Sequence, residues 1–130
     1  MLEKIIDQYK GFSDSVISEI SYKRFLSDSG FDNGIIDIIL RSENKNADYE
    51  IVKLQFSEII SFRFIEIENS PSLIINEALI KKANDVIIFD FFPLIQNSEI
   101  LENIESDLII KCKNISFEIL KFYTNGSKII

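Results

Sequence analysis

The sequence contains no histidine among its 130 residues, and this absence removes more chemistry than any other feature of the composition. Ser-His-Asp and Cys-His catalysis need an imidazole, and so do the histidine-dependent zinc sites. Histidine is also the commonest general base near neutral pH. An activity of this chain would have to rest on carboxylates instead, and we expect that the protein is not an enzyme.

Cysteine and glycine are equally scarce. A single cysteine, Cys112, allows neither an intrachain disulfide nor a thiolate metal cluster. It stands at a strand position, where we expect it to be a small buried apolar residue. The four glycines are scattered and form neither a phosphate loop nor a dinucleotide fingerprint. We therefore predict no cofactor.

Long apolar runs and targeting signals are also missing. No run approaches the roughly 20 apolar residues that a membrane-spanning helix needs. The N-terminal stretch "MLEKIIDQYKGF" lacks the basic region and the apolar core of a signal peptide. The length is typical of one domain. We expect a single domain over residues 1–130, located in the cytoplasm.

Positive charge is in deficit, with 14 basic residues against 21 acidic ones and a net charge of −7. A chain this acidic is repelled by phosphate backbones and by anionic membranes unless a local basic patch overrides the field. The densest basic stretches, "YKR" and "IKK", are too short for such a patch. We expect no nucleic-acid or membrane partner, and the charge favours a basic protein partner.

Isoleucine and phenylalanine are abundant, and their spacing predicts the secondary structure. Apolar residues at helical spacing predict a short amphipathic helix over residues 2–10, ended by Gly11 in a left-handed conformation. From residue 15 onward the period becomes two, which is typical of strands. The alternation places Val16, Ile20 and Tyr22 on one face of the first strand.

Several such runs follow one another with few helical segments between them. Short strands at this spacing favour antiparallel pairing. The predicted fold class is α+β, mostly β: an antiparallel curved sheet or two-layer sandwich of about seven to eight strands, with the short N-terminal helix covering one face or edge.

Four segments have less certain patterns. Ser57-Glu58 indicates either a hairpin turn or a bulge in one long bent strand. The alternation that follows puts Ile60, Phe62 and Phe64 on one face. Residues 71–83 fit either a helix capped by Ser70 or a strand that turns at Asn84-Asp85, and the second is favoured. "NSEILENIESD" predicts one or two helical turns capped by Ser98. The closing run "DLIIKCKNISFEILKF" predicts two strands that meet at Lys113-Asn114.

Two groups of acidic residues invite a functional interpretation. Asp28 and Asp32 have the separation of calcium ligands, but Gly30 offers no side-chain oxygen and Ile39 stands where the closing glutamate should be. We expect a turn at Asn33-Gly34 instead, and no metal. Glu66 and Glu68 fall on one face of a strand pattern, where we expect them to be solvated.

The stretch "DVIIFDFFP" places Asp90 in the middle of an apolar strand. An unpaired buried carboxylate would cost several kcal/mol or would become neutral. Arg63, in "ISFRFI", is the other charge embedded in an equally apolar strand, and arginine is well suited to a partly buried carboxylate contact. We predict a structural ion pair between Arg63 and Asp90. The alternative is that one or both lie at the rim of an apolar concave surface that binds a partner.

The stretches "YEIVKLQFSEIISFRFIE", "DVIIFDFFPL" and "SDLIIKCKNISFEIL" together resemble a pattern in small bacterial immunity-type proteins of polymorphic toxin systems. The shared features are a phenylalanine-rich strand with an embedded arginine, a strand that ends in Asp-Phe-Phe-Pro, and a closing hairpin. The resemblance implies a protein that binds a cognate toxin and covers its active site, without catalytic residues. An acidic inhibitor would suit a basic toxin that cuts nucleic acid.

Two other classes stay open beside this protein-binding hypothesis. A small-molecule binding protein would curve its sheet around an apolar cavity of several hundred Å³. A carboxylate-dependent hydrolase would need two acidic side chains facing one cleft at roughly 5–10 Å.

Overall fold

The computed structural model describes residues 1–28, 30–66, 68, 74–124 and 127–128, with the side chains at 26–27, 30–33, 124 and 127–128 left aside. The elements are α1 (Leu2–Tyr9), β1 (Ser15–Ser27), β2 (Gly30–Glu43), β3 (Tyr49–Phe64), β4 (Ile74–Ile75), β5 (Leu79–Ala83), β6 (Val86–Asp90), β7 (Leu94–Gln96), β8 (Glu99–Leu101), β9 (Leu108–Thr124) and β10 (Ser127–Lys128). The described residues include no helix that is long and apolar enough to cross a membrane.

The strands form one large antiparallel sheet and one small one. The large sheet has the order β4-β1-β2-β3-β9-β6-β5, with β10 pairing beside β9, and it curves into a half-barrel. The small sheet is the β7–β8 hairpin. The predicted mostly β, antiparallel, curved architecture with a short N-terminal helix is therefore confirmed, in its curved-sheet form.

The core lies on the face of the sheet that α1 covers. The helix buries Leu2, Ile5 and Tyr9 against it. Four fully buried phenylalanines fill the centre: Phe12, Phe56, Phe89 and Phe91. Phe89 stacks on Phe91 with ring centroids 4.3 Å apart and meets Phe56 edge-on at 5.5 Å. These offset and edge-on arrangements are the ones that aromatic quadrupoles favour.

β1 differs from its predicted alternation because it contains a bulge. The register with β2 shifts between Ile17 and Glu19, so two residues of β1 oppose one of β2 and the inward face changes phase there. Ile17 is buried and Val16 is exposed, although Ile20 still packs against the core. The prediction that Val16 shares a face with Ile20 and Tyr22 was wrong for this reason.

β3 is one continuous strand of 16 residues, which decides between the hairpin and the bulge at Ser57-Glu58. Its register with β9 shifts between Ile59 and Ser61, and Glu58 has a positive φ of 53°. Ile59 and Phe62 consequently pack against the core while Ile60 is exposed. The predicted common face of Ile60, Phe62 and Phe64 is corrected by this bulge.

β9 is also a single strand, so the prediction of two strands meeting at Lys113-Asn114 was wrong. Because β3 offers an uninterrupted partner, β9 pairs with it from Leu108, opposite Phe64, to Tyr123, opposite Tyr49. A long ladder of this kind overrides the weak turn preference of a Lys-Asn dipeptide.

Two segments between residues 79 and 101 form hairpins with tight turns. The favoured β5–β6 hairpin is confirmed, and Asn84 and Asp85 both have positive φ, as a type I′ turn requires. The alternative helix would have begun at Ser70, which lies outside the described residues. The helical turns predicted after Ser98 are wrong, because Asn97 and Ser98 make the same left-handed turn between β7 and β8.

Gly11 and Gly34 act through close approach and not through the conformations predicted for them. At the end of α1 the residue with a positive φ is Lys10, at 56°, while a Cβ on Gly11 would lie 3.3 Å from the carbonyl oxygen of Ala78. Gly34 is not in a turn, since β2 already begins at Gly30, and it pairs with Arg24 of β1.

The ring of Tyr22 lies over Gly34, so that a Cβ on this glycine would overlap with Cε1 of the ring. We expect Gly34→Ala to lower the free energy of unfolding by about 1–3 kcal/mol, because the ring must move. The same substitution in a Tyr22→Ala background should cost much less. Urea unfolding of the four proteins measures this difference, and equal costs in both backgrounds would show that the ring is not the obstacle.

Candidate functional site

Asp90 is fully buried at the end of β6 and has a complete set of partners. One carboxylate oxygen accepts the backbone N–H of Phe92 at 3.0 Å and the other accepts the N–H of Asn103 at 2.7 Å. Strand alternation puts Asp90 on the face opposite Phe89, and therefore outside the main core. The carboxylate is an anchor for two backbone segments.

Arg63 lies on β3, and its guanidinium donates to the carbonyl oxygen of Ile104 at 2.7 Å. In the register of the sheet, Arg63 and Asp90 both stand opposite Ile109 of β9, one on each side of it. Two strands that flank a third lie roughly 10 Å apart, and the hydrogen bonds described for the two side chains go to backbone groups and not to each other. The predicted Arg63–Asp90 ion pair is accordingly not among the ion pairs of the described residues.

Arg63 and Asp90 nevertheless bind the same loop, residues 102–104. Glu102 pairs with Lys111 of β9 at 2.9 Å, the N–H of Asn103 is bound by Asp90, and the carbonyl of Ile104 is bound by Arg63. Three consecutive residues are thus fastened by three charged side chains from three neighbouring strands. The Asn103 side chain also donates to the carbonyl of Phe92 at 3.2 Å.

The fastened loop and the β7–β8 hairpin form a surface that we name the acidic lobe, residues 94–107. This stretch contains four acidic residues and no basic one: Glu99, Glu102, Glu105 and Asp107. Large apolar side chains are exposed among them, namely Leu94, Ile95, Leu101 and Ile104, the last with 79% of its surface accessible. Exposed apolar groups beside charge of one sign are typical of a surface that binds another macromolecule.

A second buried polar cluster lies where α1 ends. Glu50 of β3 is buried, and its two carboxylate oxygens accept hydrogen bonds from the Tyr9 hydroxyl at 2.6 Å and from the Asn44 side chain at 2.9 Å. Burial, and then the hydrogen bond and charge of Glu50, raise the pKa of Tyr9 well above its ordinary value. The phenol therefore stays protonated and serves as a donor.

Sequence reasoning missed Glu50, although a signal for it was present. Glu50 is in phase with Val52, Leu54 and Phe56, which form the buried face of β3. A carboxylate on that face must find donors inside the protein. Tyr9, on the buried face of the predicted helix, was a candidate donor.

An open cleft of about 280 Å³ lies beside this cluster. Its lining residues are Gln8, Tyr9, Lys10, Ser13, Asp14, Glu43, Asn44, Lys45, Ala47 and Tyr49. Asp14 and Glu43 are two carboxylates on one cleft, which is the minimum that a hydrolase would need. No group of three or more potential metal-ligating side chains occurs in the part of the chain that the structure describes.

A second open cleft, of about 390 Å³, lies where the distal parts of β2 and β3 separate. Its lining includes Tyr22, Ile59 and Phe62 and the polar residues Arg24 and Ser61. Apolar and polar groups are mixed here.

The other residues singled out in the sequence have structural positions. Cys112 is fully buried, its thiol contacts the carbonyl of Asn114 at 3.4 Å, and burial raises its pKa to about 11. Glu66 and Glu68 are exposed but follow the end of β3, so they do not share a strand face as predicted. Asp28 is exposed, and the side chain of Asp32 lies outside the described residues.

Comparison with known proteins adds no relative: no protein-family model, curated protein or solved structure matches the chain.

Asp90→Asn replaces one of the two acceptors with a donor that would face a backbone N–H. We expect a loss of about 2 kcal/mol in the free energy of unfolding, and faster hydrogen exchange at the Asn103 amide. Asp37→Asn is the matched control, because Asp37 is half-buried and accepts a single side-chain hydrogen bond, from Gln55. Equal losses in the two variants would contradict the anchoring role.

Tyr9→Phe leaves one oxygen of the buried Glu50 without its donor, and we expect it to cost about 1–3 kcal/mol at neutral pH. The folded-state pKa of Tyr9 is raised above the ordinary value of 10.0, so the stability linked to this group is complete below pH 10 and is lost as the pH rises further. Thermal unfolding between about pH 8 and 11 should therefore show a shallower alkaline decline in Tyr9→Phe. Tyr22→Phe, at an exposed tyrosine, should retain the wild-type slope.

Proposed function

We propose that this protein is a non-enzymatic protein-binding module of the immunity or inhibitor type, which binds a basic protein through the acidic lobe and acts in the cytoplasm. The observation that carries the proposal is the fastening of Glu102, Asn103 and Ile104 by Lys111, Asp90 and Arg63. Charges that stand in otherwise apolar strands hold an exposed loop in one conformation.

A fixed conformation matters because binding by a mobile loop loses ordering entropy. Each rotamer-rich group immobilised at an interface costs about 0.5–1.5 kcal/mol, and preorganisation removes that cost in advance. In the acidic lobe the backbone of the loop is already bound at both the N–H of Asn103 and the carbonyl of Ile104. The exposed side chain of Ile104 is thereby presented in a defined position.

The charge of the acidic lobe determines the chemistry of the partner. Residues 94–107 contain four acidic residues and no basic one, and three of the four, Glu99, Glu105 and Asp107, belong to no ion pair of the described residues. Such a field accelerates association with a basic surface and repels nucleic acid. Ile95 and Ile104, the most exposed large apolar side chains of the lobe, would supply the apolar contact area that charge alone does not give.

A basic partner fits the immunity interpretation in particular. Enzymes that cut nucleic acid carry basic active-site surfaces because their substrates are polyanions. An acidic, rigid lobe can occupy such a surface and exclude the substrate without any catalytic residue of its own.

The small-molecule and hydrolase alternatives draw on the two clefts. Both clefts are open to solvent, whereas the small-molecule hypothesis requires a cavity that the sheet curves around. The acidic lobe supports the protein-binding proposal more specifically, because an anchored loop exposes Ile104 beside acidic residues.

The test is affinity capture from the source organism at low salt, followed by identification of the stoichiometric partner and co-production of the two proteins. The partner should be basic, should arrest growth when produced alone, and should be neutralised by the wild-type protein. Its dissociation constant should rise at least about tenfold with Ile104→Lys, which places a like charge against a basic surface. The double variant Glu99→Gln/Glu105→Gln should slow association, and added salt should diminish that effect.

Two matched variants make the same kinds of substitution outside the acidic lobe. Leu120→Lys changes an exposed leucine on β9, and Glu3→Gln/Glu118→Gln neutralises two exposed acids outside the lobe. Both should bind like the wild type. A partner that binds Ile104→Lys and Leu120→Lys equally well, or that is not toxic, would refute the proposal.

A further inference from the structure

The β7–β8 hairpin carries apolar side chains on both of its faces. Leu94 stands directly opposite Leu101, and Ile95 opposite Ile100, across the two strands. Because successive residues of a strand point to opposite faces, the two leucines lie on one face and the two isoleucines on the other. An antiparallel pair that rests on a core is instead apolar on one face and polar on the other. Neither face of the stem of this hairpin is polar.

Both faces are also exposed to solvent. Leu94 and Leu101 are 42% and 40% exposed, and Ile95 is 62% exposed. Ile100 is half-buried, yet none of the four side chains belongs to the core or packs against it in the part of the chain that the structure describes. A two-stranded hairpin on its own is marginally stable in water, so this one depends on support at its base.

The base of the hairpin is fastened at both legs by one carboxylate. Asp90 accepts the N–H of Phe92, which precedes β7, at 3.0 Å and the N–H of Asn103, which follows β8, at 2.7 Å. The side chain of Asn103 also donates to the carbonyl of Phe92 at 3.2 Å, across the base. The two legs are thus joined below the strands, next to the fully buried Phe91. The hairpin is a projection with a fixed base.

The two apolar faces and the local charge together describe the surface that can receive the hairpin. A flat surface covers the leucine face or the isoleucine face, whereas a cleft covers both with its opposite walls. Residues 94–107 contain four acidic residues and no basic one, and Glu99 brings one of these charges to the turn of the hairpin. A basic cleft is complementary to this charge, while a second copy of this acidic chain or an anionic membrane would repel it.

We propose that the β7–β8 hairpin inserts into a basic cleft of the protein partner, with the two leucines against one wall and the two isoleucines against the other. The inference rests on the proposed function and deepens it, because it specifies a concave binding site on that partner. The loop that follows the hairpin then lies at the rim of the cleft, where the exposed Ile104 adds apolar contact area.

Single cysteines on the two faces measure whether both are covered. Ile95→Cys and Leu101→Cys each place an accessible thiol on one face, whereas the native Cys112 is fully buried and burial raises its pKa to about 11. Iodoacetamide should label both new thiols rapidly in the free protein. In the complex with the basic, toxic partner obtained by affinity capture, both labelling rates should fall at least about tenfold, because the interior of an interface excludes solvent.

A third cysteine variant is the matched control for labelling. Ser116→Cys places an exposed thiol in the middle of β9, opposite Gln55 of β3 and outside the acidic lobe. Its labelling rate should be the same in the free protein and in the complex.

Substitutions to lysine give an independent measurement on the same two faces. Ile95→Lys and Leu101→Lys each set a positive charge against one wall of a basic cleft, and each should raise the dissociation constant at least about tenfold. Leu120→Lys, on β9, should bind like the wild type. Because neither hairpin residue belongs to the core, both variants should fold, and circular dichroism checks this.

The pattern over the two faces separates this inference from the proposed function on which it rests. Protection or loss of affinity at one face only, or at neither, would overturn the cleft and leave the proposed function standing. Slow labelling of both thiols in the free protein would also overturn it, and a dependence on protein concentration would identify a second copy of the chain as the occupant. Failure to recover a toxic basic partner would refute the proposed function itself, and this inference with it.

Discussion

The ladder between β3 and β9 is the constraint on which the rest of the structure depends. It runs from Tyr49 opposite Tyr123 to Phe64 opposite Leu108, and it sets the register of both halves of the half-barrel. On one side β9 receives β6, and on the other β3 continues the meander from β2. The row formed by Arg63, Ile109 and Asp90 exists only because these two registers agree. A slip of one residue in either ladder would send one of the charges to the opposite face.

Arg63 and Asp90 show that charged side chains in apolar strands can be satisfied by backbone groups and do not need each other as ion-pair partners. In a direct Arg63–Asp90 ion pair, the two side chains would bind each other, and the Asn103 N–H and the Ile104 carbonyl would lack these partners. Instead each charge binds backbone groups of the loop, and the desolvation cost of Asp90 is offset by two charge-assisted hydrogen bonds. The same logic applies to Glu50, which Tyr9 and Asn44 satisfy at the other end of the core. Both arrangements fix a loop or a terminus relative to the sheet.

The alternation of apolar residues was sufficient to predict the antiparallel β class, the N-terminal helix and the turn at Asn84-Asp85, since these depend on local period and turn chemistry. The bulge after Ile17 was not predictable in this way, because a bulge changes the phase of the pattern without a distinctive residue. Near Ser57-Glu58 the pattern left a bulge open beside a hairpin, and the long partner strand β9 decided for the bulge. β9 continued through Lys113-Asn114 because the partner strand was long, which is a nonlocal cause. For the candidate site, the sequence identified Arg63 and Asp90 as unusual, but their common loop depends on strand order.

The position of Cys112 has a consequence for how opening of the sheet can be followed. It stands on β9 between Ile59 of β3 and Ile87 of β6, so both neighbouring ladders shield its thiol. Because the chain has one cysteine and burial keeps its thiol protonated at neutral pH, alkylating reagents will report only the moments at which this centre separates. Cys112 is thus a built-in probe of local unfolding at the place where β9 joins β3 to β6.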